Sequence, residues 1–470
     1  MSKNRRIAVF ARSLHGPRPR GVQRVARAIT EELVARLPSD VECYCLLSKV
    51  RRQDELTYEA CDLRAWLARN PLTDREERGL FARLTRLVRR SLDEVLSPGA
   101  RQFAKSLPAL MRRIILRIPM ASRLRAPWSK VRRLWGELRK DDALPQCITL
   151  DEIDVIISFD PFDRIWNEPT HRCRTRLISW FHDAIPKRIN EGAHWDPDRF
   201  DSCVTNACYR AHRIICVSRS AEDDLLTFFP TAAGKTQVIY SGHDLERFAR
   251  GIAASRPVVD DVLRKQGIST NRPYLFVLGA IEPRKNIAGI LRACEVLRRH
   301  NPRLDFQVVF AGDLSGQPKL RQLLKRARRY FPVHMLRYIG DEDAAIVAGQ
   351  AKAFLYPSLW EGFGIPMLEA MTAGALVVTS DTSSMPEVCG PHAIYCDPYD
   401  TRDMADKFLQ CLTMDEEERR ERTTAAQQHS SAFTWRKTAN ELLSVLEDQF
   451  AAGIGRERET ANFGQERICA

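Results

Sequence analysis

Two glutamates, Glu361 and Glu369, lie eight residues apart across a glycine-rich turn, Trp360-Glu361-Gly362-Phe363-Gly364-Ile365-Pro366-Met367-Leu368-Glu369. Gly362 and Gly364 let backbone approach a ligand closely, and Pro366 suits the first turn of a helix. The exposed N–H groups of such a helix start favour an anion such as a diphosphate. Glu361 at the mouth and Glu369 one turn inside suit sugar and ribose hydroxyls, because an ionised carboxylate accepts from two donors at once. The same run also reads as a helix start with a capping acid and an ordinary helical glutamate. A second cluster, Gly279-Ala280-Ile281-Glu282-Pro283-Arg284-Lys285-Asn286, follows a buried strand and opens a helix. There Arg284 and Lys285 put two cations where a phosphate would sit; alone, such a pair reads equally as solvated surface. A third signal is His182-Asp183, at the end of an apolar strand over 177–181. A histidine at a strand's carboxyl end faces the cleft of an α/β sheet, although this one also reads as a structural histidine hydrogen-bonded to Asp183.

The elements that must position these groups alternate. A strand over 7–11, a Gly/Pro loop over 13–21 and a helix over 22–37 open the chain, and a strand over 41–47 follows. The helix carries Val22, Val25, Ala26, Ile29, Leu33 and Leu37 on one face, a helical period. From about 51 to 150 the pattern turns to Arg-rich helices broken by prolines, before short apolar strands resume at 155–158, 177–181, 214–217 and 238–240. Such runs suit strands buried on both faces. The stretch 249–271 has no strand pattern and reads as a linker. Beyond it the alternation is cleaner, with strands at 274–279, 306–311, 335–339, 353–356 and 376–379 separated by helices, and further helices near 401–411 and 432–449. The fold class is therefore α/β, with two Rossmann-like domains facing a cleft and a helical basic insertion in the first.

With 470 residues, the chain is long for one core. Its composition is globular, 44% hydrophobic and 28% charged. The amino terminus offers no signal-peptide pattern, and no window supplies the roughly 20 apolar residues of a spanning helix. Thirteen cysteines are scattered without zinc spacing and read as reduced and buried, in a cytoplasmic setting. Most of the net charge of +13 concentrates between Arg51 and Lys140, where 22 Lys and Arg face 10 Asp and Glu. Such an excess points to nucleic acid, anionic lipid or an acidic substrate.

Taken in order, these motifs resemble glycosyltransferase family 4, retaining enzymes with the GT-B fold. The resemblance rests on Glu361 and Glu369, on Glu282-Pro283-Arg284-Lys285-Asn286, on Tyr356-Pro357-Ser358, on Ala373-Gly374 before a strand and on Pro386-Glu387-Val388. It covers nearly all of 271–400, with weaker islands earlier. It implies that Arg284 and Lys285 hold the donor diphosphate, Glu369 the ribose and Glu361 the transferred sugar, with Gly362, Phe363 and Gly364 lining the sugar pocket. His182-Asp183-Ala184-Ile185-Pro186 is similar to a motif of mannosyl- and rhamnosyltransferase-like members, which places His182 beside the reacting sugar and Asp183 as its orienting partner. The loop 16–24 is similar to the family's glycine loop, with Gly21 the best match and Arg24 an aid to anion binding. Cys216-Val217-Ser218 resembles a family strand end, whereas Ser241-Gly242-His243-Asp244 departs from the usual Asn-Gly-Val-Asp.

From the resemblance follow a first, acceptor-binding domain over 1–248, a linker over 249–271 and a donor-binding domain over 272–431. A helix over 432–450 is expected to pack back on the first domain, ahead of a flexible tail over 451–470. The implied activity is retaining transfer of a hexosyl group, mannose from GDP-mannose, to a glycan or lipid-linked acceptor in surface polysaccharide assembly. No carboxylate stands as a nucleophile, which by resemblance leaves a front-face mechanism. No metal cofactor is expected: Asp196-Pro197-Asp198 and Asp341-Glu342-Asp343 are short strings that an acid-rich chain produces by chance. The insertion carries Arg-studded apolar residues at 107–118, with Trp128 and Trp135 beyond them. It suits an anionic membrane surface and a peripheral location on the inner face of the plasma membrane; its solvated-hairpin alternative stays open. Confinement of the basic excess to one segment argues against nucleic acid. The rival readings are a nucleotide-sugar epimerase of the same fold and a noncatalytic anion- or nucleic-acid-binding protein.

Overall fold

The computed structural model describes residues 5–10, 14, 21–51, 56–69, 146–168, 173–189, 196–279, 282–312, 318–336 and 339–466. Two sheets organise them. The first contains β1 (Arg5–Phe10), β2 (Val41–Arg51), β3 (Leu56–Asp62), β4 (Gln146–Thr149), β5 (Val155–Ser158), β6 (Arg176–Phe181), β7 (Arg213–Cys216) and β8 (Thr236–Val238). Their order is β4-β3-β2-β1-β5-β6-β7-β8. The second contains β9 (Tyr274–Leu278), β10 (Gln307–Ala311), β11 (Val333–Leu336), β12 (Ala353–Tyr356), β13 (Val377–Ser380) and β14 (Ile394–Cys396), in the order β11-β10-β9-β12-β13-β14. All pairings in the second sheet are parallel. Its strands are short apolar runs because helices cover both faces, so neither side can be polar; Phe276, Val308, Val309, Phe354 and Leu355 are all fully buried.

The strand order reverses between β1 and β5 in the first sheet and between β9 and β12 in the second. At such switch points the connections leave to opposite faces and open a crevice at the strands' carboxyl ends. The loops after β9 and β12 are those that carry Arg284, Lys285 and Glu361.

Three differences from the sequence reading have physical causes. Residue 51 and residues 56–69, placed in a helical insertion, instead form the end of β2, then β3 and a short helix, Leu63–Arg69. At the other margin β4 pairs antiparallel with β3. Tyr58, Ala60 and Ile148 are buried on one face of this extension and Thr57 and Cys61 on the other, a short run that the surrounding arginines hide in composition. Residues 70–145, with the apolar-arginine stretch and both tryptophans proposed for a membrane, lie outside the described residues. The segment 249–271 is largely helical: Leu245–Ala253 and Arg256–Lys265 lie against the helix Asp341–Gln350 of the second domain. Phe248, Val259, Val262 and Leu263 are its buried anchors.

The last helix, Trp435–Glu466, runs beyond residue 450 into the segment read as a loose tail. Its extension is rich in Ala, Arg and Glu, good helix formers. It crosses back to the first domain, packing on the helix Gly21–Val34, and Arg176 donates to Gln449 at 3.0 Å. Between the domains the chain passes through Gly242, where a side chain would strike the backbone of Thr434 and Trp435. No helix among the described residues is long and apolar enough to cross a membrane. The described cysteines are all free thiols, most of them buried.

Candidate active site

The loop after β9 turns sharply into a helix. Gly279 has φ 133°, a left-handed value that favours glycine. Glu282 to Lys285 then form one tight turn. Asn286, itself left-handed at φ 54°, caps the helix Ile287–His300. Its side-chain oxygen accepts from Gly289 N at 3.2 Å, the usual service of a capping residue. Its amide also donates to Pro398 O at 2.7 Å. The turn is fixed from both sides, and it aims Arg284 and Lys285 toward β12.

The loop after β12 meets them. Glu361 is 6% exposed, with Arg284 Nη1 at 2.5 Å and Lys285 Nζ at 2.6 Å. Lys285 also bonds Tyr356 OH and lies 4.0 Å from the Tyr356 ring centroid, where the ring face attracts a cation. Arg284 Nε pairs with Glu282 at 2.8 Å. Ser383, at φ 56°, and Ser384 hold the Glu361 backbone: Ser383 Oγ accepts from its N–H at 3.1 Å, and Ser384 Oγ donates to its carbonyl at 3.0 Å. Burial pushes the Glu361 carboxyl up, but Lys285 and Arg284 overcome that and hold it at about 2, since nearby opposite charge favours the ionised form. Burial brings Lys285 down to about 8 despite Glu361. The two cations are therefore charged at neutral pH and share one buried counter-ion, an arrangement the spacing in sequence does not reveal.

Gly364, left-handed at φ 96°, starts the helix Ile365–Thr372, with Pro366 in its first turn. Phe363 is buried against Tyr240 and Phe433, at 6.1 Å from each ring, so its side chain ties the domains together. Glu369 lies one turn in and is half-buried. Burial lifts its carboxyl to about 7, with Arg24 opposing and Asp341 and Asp244 adding like charge.

The first domain supplies the opposite wall. His182 follows β6, and its Nε2 lies 3.0 Å from Phe159 O. A carbonyl only accepts, so Nε2 carries the proton and Nδ1 is left as the acceptor. Burial lowers the His182 pKa, which keeps the ring neutral. Asp183 does not orient that ring, contrary to the sequence reading: its Oδ1 accepts from Ile185 N at 3.0 Å, fixing the following turn. Burial raises the Asp183 pKa, opposed by the Ile185 amide and the Arg284 charge. A side chain on Gly362 would strike the His182 carbonyl and Asp183, so this glycine is what brings the two walls together.

Gly21 begins the helix Gly21–Val34; residues 15–20 of its loop lie outside the described residues. Arg24, on that helix, reaches Asp341 at 2.5 Å, and Arg247 reaches the same carboxylate at 2.6 Å. The acidic strings have structural partners as well. Asp196 caps the helix Pro197–Arg210, and Glu342 pairs with Arg250 at 3.2 Å. Among the described residues no group of three His, Cys, Asp or Glu is disposed to hold a metal ion.

Two contributors escaped the sequence reading, the Ser383-Ser384 pair and Asp224 against the indole of Trp360, and Tyr356, named there only as part of a motif, lies beneath Lys285. The serines had a legible signal, a polar run directly after β13 and therefore at the ligand end of the sheet.

Two Rossmann-like domains whose strand-end loops face each other define the GT-B class of transferases. Comparison with known proteins agrees. Residues 19–247 match the family model described as Glycosyltransferase Family 4, and residues 259–429 match that of Glycosyl transferases group 1. The chain belongs to this family and is a glycosyltransferase. It is 29% identical over 290 residues to the O-antigen chain mannosyltransferase B of Escherichia coli, covering 60% of this chain and 74% of that one. It is also 29% identical over 278 residues to a serotype-specific mannosyltransferase of the same organism, of which it spans only 33%. A D-inositol 3-phosphate glycosyltransferase of Saccharomonospora viridis is 29% identical over 266 residues, 53% of this chain and 59% of that one. Among solved structures, sucrose-phosphate synthase from Thermosynechococcus elongatus superposes with TM-score 0.61 at 16% identity, covering 95% of this chain and all of that one. The Anabaena protein HepE, crystallised with UDP and glucose, superposes at 0.59 with 15% identity, covering 94% of this chain and 100% of that one. These two show the fold.

Proposed function

We propose that the chain transfers a mannosyl group from GDP-mannose to a glycan or lipid-linked acceptor in surface polysaccharide assembly, with retention of configuration. The observation that carries the donor half is the buried Arg284–Glu361–Lys285 cluster at the switch point of the second sheet. Departure of a nucleoside diphosphate concentrates negative charge, and two fixed cations with the start of the helix Ile365–Thr372 can stabilise it. Glu361, once the diphosphate competes for its cations, turns to the hydroxyls of the transferred sugar. Glu369 takes the ribose hydroxyls, and its raised pKa suits a group that waits for donors in a recessed site. His182 presents an unprotonated Nδ1 to the reacting sugar and its acceptor. With no residue placed as a nucleophile, the leaving phosphate itself assists deprotonation of the acceptor. The diphosphate's charge is met by protein cations, so the reaction is proposed to need no metal.

The mannose assignment draws on the printed activity of the Escherichia coli relatives and on the His182-Asp183 motif. HepE with UDP and glucose supports a nucleotide-activated donor, and the inositol-phosphate relative keeps the acceptor and sugar as the variables. Family membership sets aside the epimerase and the noncatalytic nucleic-acid binder. Peripheral attachment to the inner face of the plasma membrane through the basic segment 51–150 belongs to the same proposal; vesicles of anionic lipid that fail to float the protein at low salt overturn it.

The test is a thermal-shift panel of GDP-, UDP-, dTDP- and ADP-sugars on wild type and Lys285→Ala. A ligand at 100 times its Kd stabilises by about 2.7 kcal/mol. GDP-mannose is expected to shift the wild type alone. A shift by another nucleotide sugar replaces the sugar and keeps the site, whereas no shift by any of the four removes the donor reading.

A further inference from the structure

The donor loop is held by the other domain through one helix. Arg219–Phe228 follows β7 in the first sheet, yet three of its features grip the loops after β12 and β13. Ser218, its capping residue, accepts from Ala221 N at 3.0 Å and donates to Gly362 O at 2.6 Å. The first free N–H groups of the helix, from Arg219 and Ser220, donate to Glu387 at 2.7 and 3.2 Å, where Tyr240 OH adds a third bond at 2.7 Å. In mid-helix, Asp224 is 2% exposed and spends both oxygens: Oδ1 accepts from Arg188 Nε at 2.9 Å and Nη2 at 2.7 Å, and Oδ2 accepts from Trp360 Nε1 at 2.8 Å. The Arg188 guanidinium is also stacked between aromatic rings, 4.7 Å from Trp360 and 4.9 Å from Phe228.

A buried carboxylate is costly unless every lone pair is answered. Here the answer comes from both domains, and the second-domain partner is the residue immediately before Glu361. Trp360 is rigid: with its ring on Arg188 and its N–H on Asp224, the indole is fixed in plane and in rotation, which fixes the backbone leading to Glu361. The indole bond adds an orientation constraint at the one place where the Arg284–Lys285 clamp needs its counter-ion.

We infer that Asp224, oriented by Arg188, is a positioning residue that acts through Trp360 to set Glu361 between Arg284 and Lys285. The assembled donor clamp thereby depends on the first domain being docked. This rests on the donor site proposed above. Asp224 touches no reacting atom; it fixes the loop that does.

Trp360→Phe deletes the N–H while keeping a ring on Arg188, and Asp224→Asn removes the charge at constant shape. Exposed Asp223→Asn serves as the control. Hydrogen exchange of peptides spanning 358–364 is read without ligand, and titration calorimetry reads affinity for the nucleotide sugar that binds best in the panel of GDP-, UDP-, dTDP- and ADP-sugars. Exchange in the donor loop is expected to accelerate by about 10-fold in either variant, with both sheets unchanged. Donor affinity is expected to fall about 10- to 100-fold, the scale for misplaced groups. The double variant should be no worse than the weaker single, because both cut one connection. Unchanged loop exchange overturns the inference, as does faster exchange with donor affinity intact. If the wild type binds none of the four, the donor reading fails, and loop exchange still decides whether Asp224 holds Glu361 in place.

Discussion

Glu369→Gln should make the protein more stable and less able to hold its donor. In the folded chain burial lifts the Glu369 carboxyl from 4.5 to about 7. The sign follows from proton binding: between these two values the folded state holds a proton that the unfolded chain has lost, so stability falls as pH rises through that window. The associated stability is fully present below pH 4.5 and is gone above about 7. At about 1.36 kcal/mol per unit, the gap corresponds to roughly 3 kcal/mol, reduced to about 1–3 because the half-buried side chain keeps some contact with solvent. Glutamine has the shape of the protonated acid and no charge to lose. Melting curves of wild type and Glu369→Gln should coincide near pH 4.5 and separate steadily to pH 7. Above that the variant should stay about 1–3 °C ahead, at roughly 1 °C per kcal/mol for a chain of this size. The same variant should bind the nucleotide sugar more weakly, since an amide accepts from ribose hydroxyls less strongly than a carboxylate does. A stabilised protein with a weakened site is the expected mark of a group kept for function at a cost in folding. Curves that run parallel at every pH would refute the reasoning, because they would mean that Glu369 is ionised without penalty.

Lys285, depressed to about 8 by burial, should give kcat/KM an alkaline limb near that pH, since the neutral amine no longer offsets the diphosphate; Lys285→Arg should move the limb upward, and a pH–rate series checks both. Glu361 contributes stability that is present above pH 4.5 and lost as pH falls toward about 2, so Glu361→Gln should flatten the acid limb of the unfolding curve followed by circular dichroism. Gly362→Ala drives a methyl group into the His182 carbonyl and should cost about 1–3 kcal/mol of domain docking. It is read as a lower Tm and a loss of activity larger than that of Gly340→Ala, where the added methyl meets nothing. Dialysis against EDTA should leave the initial rate unchanged within error if the cations alone carry the leaving charge, and full recovery on adding Mg²⁺ after such a loss would overturn that view.

The alternation of short apolar runs with amphipathic helices is local information, and it dictated the two α/β domains almost strand for strand from β5 onward. Burial on both faces leaves no ambiguity of period in a run such as Tyr274–Leu278. The identities of Arg284, Lys285, Glu361 and Glu369 were legible for a similar reason. Each sits beside a glycine or proline that marks the end of a strand or the start of a helix, and chemistry gathers at such junctions. At the margins of the basic segment the local signal failed: β4 is a four-residue edge strand, β3 lies between it and β2 with Thr57 and Cys61 buried on one face and Tyr58 and Ala60 on the other, and the arginine-rich neighbours hide both in composition. Local signal also ended the last helix too early, because helix formers without a regular apolar stripe in sequence resemble a tail. What no spacing contains is who faces whom. That Glu361 bridges both cations follows from β9 and β12 lying side by side in one sheet, that Asp183 fixes Ile185 rather than His182 is a local turn bond, and that Asp224 takes the indole of Trp360 is a consequence of two domains docking. Chemical type and local geometry are set along the chain, through backbone torsion and side-chain period. Lys285 and Glu361 are 76 residues apart, and Asp224 and Trp360 are 136 residues apart. Such partners are chosen only when burial removes water and leaves each ion to the few groups packed against it.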